Sequence, residues 1–157
     1  MIHALGGAHA LTLSRLIPAP RAAIWRCWTE PELLKQWFCP KPWGVSHAEL
    51  DVRPGGSSLI VMRGPEGQEM PNRGLYLEVV PGEKLVFTDA FTSAWVPSGK
   101  PFMVGTILLA DAAGGTQYDA VVGHWNEEDC AQHEAMGFHQ GWGIATDQLT
   151  ELARTLG

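Results

Sequence analysis

The sequence predicts an α+β domain in which a curved antiparallel sheet wraps around a long C-terminal helix, with two short helices after the first strand. Three observations predict it. From Phe138 onward, bulky or small apolar residues fall at 138, 142, 145, 149, 152 and 156. These alternating steps of four and three place one stripe on a single helix face. Residues from about 46 to 123 break into short runs separated by Gly- and Pro-bearing turns, the pattern of strands joined by hairpins. Two proline-opened segments, at Pro20 and Pro31, stand between the first strand and the others. A helix with one apolar face needs a sheet to lie on, and a sheet that closes over it incompletely leaves a concave space.

The elements follow in order. Residues 1–9 are small and mixed and are expected to fray. Ala10 to Ile17 alternates loosely and reads as the first strand, which Pro18-Ala19-Pro20 stops. Pro20 suits the opening of a helix near 21–28, with Ile24, Trp25 and Trp28 on one face. Thr29 or Glu30 then caps a second short helix that has Pro31 in its first turn and acids near the positive end of its dipole. It ends at Trp37-Phe38, before a loop broken by Pro40 and Pro42. Strands are expected at 46–52, 57–63, 72–80 and 85–90, with turns at 53–56, 64–67 and Pro81-Gly82. Residues 91–101 read as a loop containing Trp95. Strands at 102–110 and 116–122 are joined by a hairpin at 111–115, and Asn126 with Glu127, Glu128 and Asp129 opens the last helix. Without repeat, linker or low-complexity tract, residues 1–157 are expected to form one domain.

Composition narrows the partners. A chain of 157 residues can bury a core without staples. It is 45% hydrophobic and 18% charged, and it carries seven tryptophans, side chains that build cores and pocket walls. A net charge of −6 with scattered Lys and Arg argues against nucleic acid or an anionic membrane as partner. Three widely spaced cysteines give no disulfide framework, and no signal-like or membrane-length apolar run is present. A soluble, cytoplasmic protein is the expectation.

Few residues invite chemistry. His133-Glu134 with His139 resembles a zinc-protease helix, but six residues turn a helix by about 600°, which takes the two histidines off a common face. No metal site and no cofactor is assigned. His124, where the last strand meets the last helix, is a candidate base or ligand contact, although a histidine there more often satisfies backbone groups. His47 has no identifiable partner. Tyr76 and Tyr118 stand on strands, and an inward hydroxyl on either would orient a guest's polar group. Trp95, Phe138 and Trp142 are candidate cavity walls, whereas Trp25 and Trp28 read as core. Gly137 and Gly141 mark either a close approach of the sheet or a gap. Cys39 and Cys130 are candidate reactive thiols, but nothing cationic flanks Cys130, and the acids beside it would raise a thiol's pKa. No Ser-His-Asp order, phosphate loop or dinucleotide fingerprint appears, so no catalytic residue is assigned.

The ordered motifs carry a resemblance. Pro20-Arg21-Ala22-Ala23-Ile24-Trp25, then Trp28-Thr29-Glu30-Pro31-Glu32-Leu33-Leu34-Lys35-Gln36-Trp37, Asp51-Val52-Arg53-Pro54-Gly55-Gly56, the run Gly74 to Thr88, Gly115-Thr116, and Gly137-Phe138 with Gly141-Trp142 span nearly everything from 11 to 156. In this order they resemble the START-like (SRPBCC) superfamily, the helix-grip fold of the birch-pollen allergen and polyketide cyclases. Within it they resemble the AHSA-type branch, named for the activator of the ninety-kilodalton heat-shock chaperone's ATPase. The resemblance implies a bent sheet around the C-terminal helix, with a cavity closed at one end by the two short helices. It supplies no shared catalytic signature.

Three functions follow as expectations. The first is binding of a small hydrophobic or amphipathic ligand between sheet and helix, with Tyr76, Trp95, Tyr118, His124, Phe138 and Trp142 as the lining candidates. The second is an enzyme of cyclase, dehydratase or hydrolase type in the same cavity. It requires an inward acid or base, for which His124, Tyr76 and Tyr118 are the candidates. The third, implied by the resemblance alone, is a chaperone-activator role; the longer activators carry a further domain, which ranks this reading last. A homodimer is compatible with a domain of this size.

Overall fold

The computed structural model describes residues 7–93 and 95–156. Strand β1 (Ala10–Ile17) leads into helices α1 (Arg21–Thr29) and α2 (Pro31–Leu34). Strands β2 (Gly44–Leu50), β3 (Ser57–Arg63), β4 (Glu69–Val80) and β5 (Lys84–Thr88) follow. A short pair, β6 (Phe91–Ser93) and β7 (Val96–Pro97), precedes β8 (Met103–Ala112) and β9 (Gly115–His124). The chain closes with α3 (Glu127–Ala135) and α4 (Phe138–Leu156).

Seven strands form one antiparallel sheet in the order β1-β9-β8-β5-β4-β3-β2, while β6 and β7 pair separately. The sheet curves around α4, the helix-grip arrangement. Residues 138, 142, 145, 149, 152 and 156 all reach the core, so the stripe legible in the sequence is the packed face of α4. It meets Leu13, Ile17, Tyr118, Ala120, Ile107 and Leu109 from β1, β9 and β8, and Ile24, Cys27 and Trp28 of α1 fill the space beside it. Leu149 and Ile24 are fully buried, and burial of such a side chain contributes about 1.5–3 kcal/mol.

β4 is long because it serves two partners. Its residues 69–75 pair with β3, whereas 75–80 pair with β5, with an irregularity after Tyr76. The β2–β3 hairpin is therefore displaced along β4 and continues beyond the end of β5. That offset leaves part of the concave face away from α4.

Four elements differ from the sequence expectation, the first being α2, which closes at Leu34 and gives way to turns before Trp37-Phe38. The last helix is two helices: Asn126 caps α3, its Oδ1 accepting from the Asp129 amide at 2.7 Å, and α3 stops before Gly137. Gly137 has φ +92°, a conformation in which a Cβ is strained, so the chain turns there and restarts as α4. Glycine-associated reversal, rather than close sheet approach, is the role of Gly137. Residues 91–101 are not plain loop, since β6 and β7 fold back on each other within them. β4 starts at Glu69 and contains Pro71, opposite Val61, a residue type that argues against a strand when read from sequence alone.

Candidate functional site

The sequence-nominated residues fall into four places. Tyr118 is at the centre of the core. Its hydroxyl accepts from the Trp28 indole N–H at 3.2 Å, and both side chains are buried. Burial pushes its phenol well above the ordinary range, with hydrogen bonds from Trp28 and Thr146 pulling partly the other way. This hydroxyl ties β9 to α1.

Tyr76 is only 4% exposed and pairs with Phe87 across β4 and β5. Phe87 in turn covers Gly105: a Cβ there would sit 2.5 Å from the ring's Cζ. The Tyr76 hydroxyl has no hydrogen-bond partner among the described residues. Burial, and then the nearby charge of Asp51, push its phenol above the ordinary range.

His124, Phe138 and Trp142 come together at the far end of β9. Phe138 and Trp142 stack with centroids 5.1 Å apart. His124 Nδ1 lies 2.9 Å from the His9 carbonyl oxygen, so that nitrogen carries a proton and donates. Its Nε2 lies 2.9 Å from His133 Nδ1. The backbone-satisfying role that a junction histidine usually plays is present, with a second histidine added. Phe102 packs against both imidazoles, at 5.4 Å and 5.1 Å. Burial first, then His124, push His133 down to about 4, while Asp89 pulls it up.

Trp95 stands apart. It is 73% exposed on the β6–β7 turn, with φ +63°, edge-on to Phe91 at 5.9 Å. His47, exposed on the edge strand β2, has Glu49 2.6 Å from its Nε2. His139 approaches Glu134 at 3.5 Å while His133 turns to His124, so the two histidines of the zinc-like stretch point to different partners.

Sequence reasoning missed three contributors. His133 and Phe102 were hidden because only the fold brings the start of β8 and α3 to the end of β9. Gln148, the third, donates from Nε2 to the carbonyls of Trp37 (2.9 Å) and Cys39 (2.7 Å), and its Oε1 accepts from the Lys41 amide at 3.1 Å. It binds the loop before β2 to α4. Nothing in the spacing of a surface-type glutamine signals that role.

A half-buried apolar surface extends from Tyr76. Register places Ser58 opposite Gly74 and opposite Leu50, and Ile60 opposite Ala48, all on the face that Tyr76 shares with the core. Leu50, Ala48, Ile60 and Met62 are all half-buried, unlike the sealed residues under α4. Two surface depressions, of about 320 Å³ near Glu49, Asp51 and Arg73 and about 440 Å³ near Lys84, Leu108 and Asp119, include no residue of α4.

The profile of the activator of Hsp90 ATPase homolog 1-like protein family matches residues 18–154. The chain belongs to this family. A crystal structure of a Nitrosomonas europaea protein is similar at 42% identity and TM-score 0.90, over 93% of this chain and 94% of that one. A Chromobacterium violaceum protein, at 24% identity and TM-score 0.73 over 92% of this chain and 96% of the other, shares the fold. So does the AHSA1-like protein of Aeromonas hydrophila, at 17% and 0.73, over 94% of each chain. No curated protein matches the chain. Among the described residues, no helix is long and apolar enough to cross a membrane.

Proposed function

We propose that this member of the family binds a small hydrophobic or amphipathic molecule on the concave face of the sheet, beside α4. The observation that carries this reading is the row Leu50, Ala48, Ile60 and Met62, apolar and core-facing yet half-buried because α4 covers the β1, β9 and β8 end of that face and not the β2–β3 end. An apolar patch that its own fold leaves uncovered is where a guest gains most from leaving water. Tyr76, at the border between this row and the closed core, offers a hydroxyl for the guest's polar end. Phe138 and Trp142 stack and pack with Leu11 and Val122 at the β1–β9 end of the sheet, so they are not assigned to this row.

Tyr118 takes no part in this reading, because its hydroxyl is engaged with Trp28 in the sealed core. Trp95 is a surface group at the rim region, away from the clustered aromatics. The His124 ring nitrogens are both engaged, by the His9 carbonyl and by His133, which favours ligand binding over acid–base turnover.

Native mass spectrometry of the purified protein against a denatured sample, followed by titration with a fluorescent fatty acid and an aryl probe, tests the proposal. Saturable binding that Ile60→Arg abolishes while the fold persists is the expected result. Equal binding by wild type and Ile60→Arg, or none by wild type, overturns it.

A further inference from the structure

α3 is held to the domain by very little. None of its residues is fully buried, and its first turn carries the exposed Glu127 and Glu128 and the half-buried Asp129. Cys130 packs at the edge of the Leu11–Val122–Phe138 cluster, and His133 reaches His124 at the end of β9. Among the described residues, that imidazole–imidazole hydrogen bond is the polar tie between α3 and the sheet.

The proton count of the tie is fixed by its neighbours. The His9 carbonyl can only accept, so His124 Nδ1 always carries hydrogen. In the neutral pair, His124 Nε2 is bare and accepts from His133 Nδ1–H. One added proton is tolerated: it either goes to the outer Nε2 of His133 or sits between the rings with His124 as donor. A second added proton puts N–H against N–H across 2.9 Å, with two positive rings in contact. The pair accepts one extra proton but cannot accept two while it stays closed.

We propose that the His124–His133 pair is a pH-sensitive latch, and that double protonation releases α3 from the end of the sheet while the sheet and α4 stay folded. The surrounding charges set its balance. From the segment after β5, Asp89 favours the cation, although its Oδ1 is engaged by the Phe102 and Met103 amides at 2.8 Å and 3.1 Å. From α3 itself the titratable neighbours are Asp129, Cys130 and Glu134; α4 contributes His139, paired with Glu134; the segment before β1 contributes His9. β8 contributes only Met103, and Phe102 and Phe138 surround the rings with apolar surface. The burial that disfavours charge on His133 thus outweighs a single, already engaged carboxylate. Release uncovers Phe102 and the Phe138–Trp142 stack at the β1–β9 end of the sheet. The latch does not depend on any ligand being bound there.

Amide hydrogen exchange of the full chain, corrected for intrinsic rates, tests it. Between about pH 7 and about pH 5, protection over residues 127–135 is expected to fall roughly twenty-fold, because the released pair can take up two protons near free imidazole values and the latched pair only one. Protection of β8, β9 and α4 is expected to hold. His133→Asn keeps a donor near the Nδ1 position and cannot be protonated, so its α3 protection should be flat across that range. Equal pH dependence in His133→Asn and wild type overturns the latch. In the wild type alone, imidazole NMR titration gives an independent reading. Two histidines that take up protons independently near their free values, without loss of α3 protection, overturn it as well.

Discussion

The Trp28 indole and the Tyr118 hydroxyl meet at 3.2 Å inside the core, a helix of the N-terminal half bonded to a strand of the C-terminal half. Both groups are polar tips on large apolar bodies, and each satisfies the other where water cannot. Tyr118→Phe removes the acceptor and leaves a buried N–H, which costs about 1–3 kcal/mol. Urea denaturation should show that loss with an unchanged slope. A shift below a few tenths of a kcal/mol would mean that Trp28 finds another partner.

These two phenols also offer a direct optical test, since Tyr76 and Tyr118 are the only tyrosines in the sequence. Burial holds both above the usual phenol range. Spectrophotometric titration should therefore show no phenolate step near about pH 10, with absorbance appearing only as the protein unfolds in base. A normal step for one equivalent, removed by Tyr76→Phe, would place the Tyr76 hydroxyl in open water and remove the polar anchor proposed for the guest.

The glycines of the C-terminal helices separate by what surrounds them. A Cβ on Gly141 would meet nothing within 4 Å, so Gly141→Ala gains helix propensity, about 0.5–1 kcal/mol. At Gly143 the same Cβ would sit 3.0 Å from the Arg15 guanidinium, which donates to Asp147 at 2.9 Å. That pair is exposed enough to be worth under about 1 kcal/mol, so Gly143→Ala should be close to neutral. Gly137→Ala places a Cβ at φ +92° and should cost about 1 kcal/mol or more. Thermal melts that rank the three variants Gly141→Ala, Gly143→Ala, Gly137→Ala from most to least stable would bear this out.

The fold was legible because its signals are periodic. The stripe from Phe138 to Leu156 and the turns at Gly55-Gly56 and Pro81-Gly82 are local rules that the structure obeys. The break at Gly137 was not legible, because the segment opened at Asn126 runs without interruption into the stripe that starts at Phe138; only backbone φ decides. The site was less legible still. His124 stood out as a junction histidine, but its partner His133 lies one strand-to-helix turn away on an element with no apolar periodicity. Tyr76 and Tyr118 look alike in sequence, each on a strand with its side chain inward. Their difference comes from Trp28, which sits ninety positions from Tyr118.

The three cysteines should separate by reactivity. Burial pushes the Cys27 and Cys39 thiols up to about 11, and both are enclosed in the core. Cys130 is also raised, by burial first and then by Glu134 and Glu127, but it is partly exposed on α3. In the native protein near neutral pH, a small aromatic disulfide reagent should label one thiol slowly and the others only on unfolding. Peptide mapping should find the label on Cys130, and fast labelling of Cys27 or Cys39 would mean the core opens more readily than its packing implies.

The pH dependence of stability has a definite sign. His133 is held down to about 4 in the folded chain and returns to about 6.5 when unfolded. Between those values the unfolded chain binds the proton that the folded one refuses, so stability falls as pH drops through that window. Above about pH 6.5 this histidine contributes no slope. His133→Asn should flatten the fall between about pH 6.5 and about pH 4 while leaving the carboxylate-driven loss at lower pH in place. Urea midpoints at half-unit steps of pH, for wild type and variant, measure the difference. Parallel curves for the two proteins would show that His133 protonates as easily folded as unfolded, against its burial between Phe102 and Phe138.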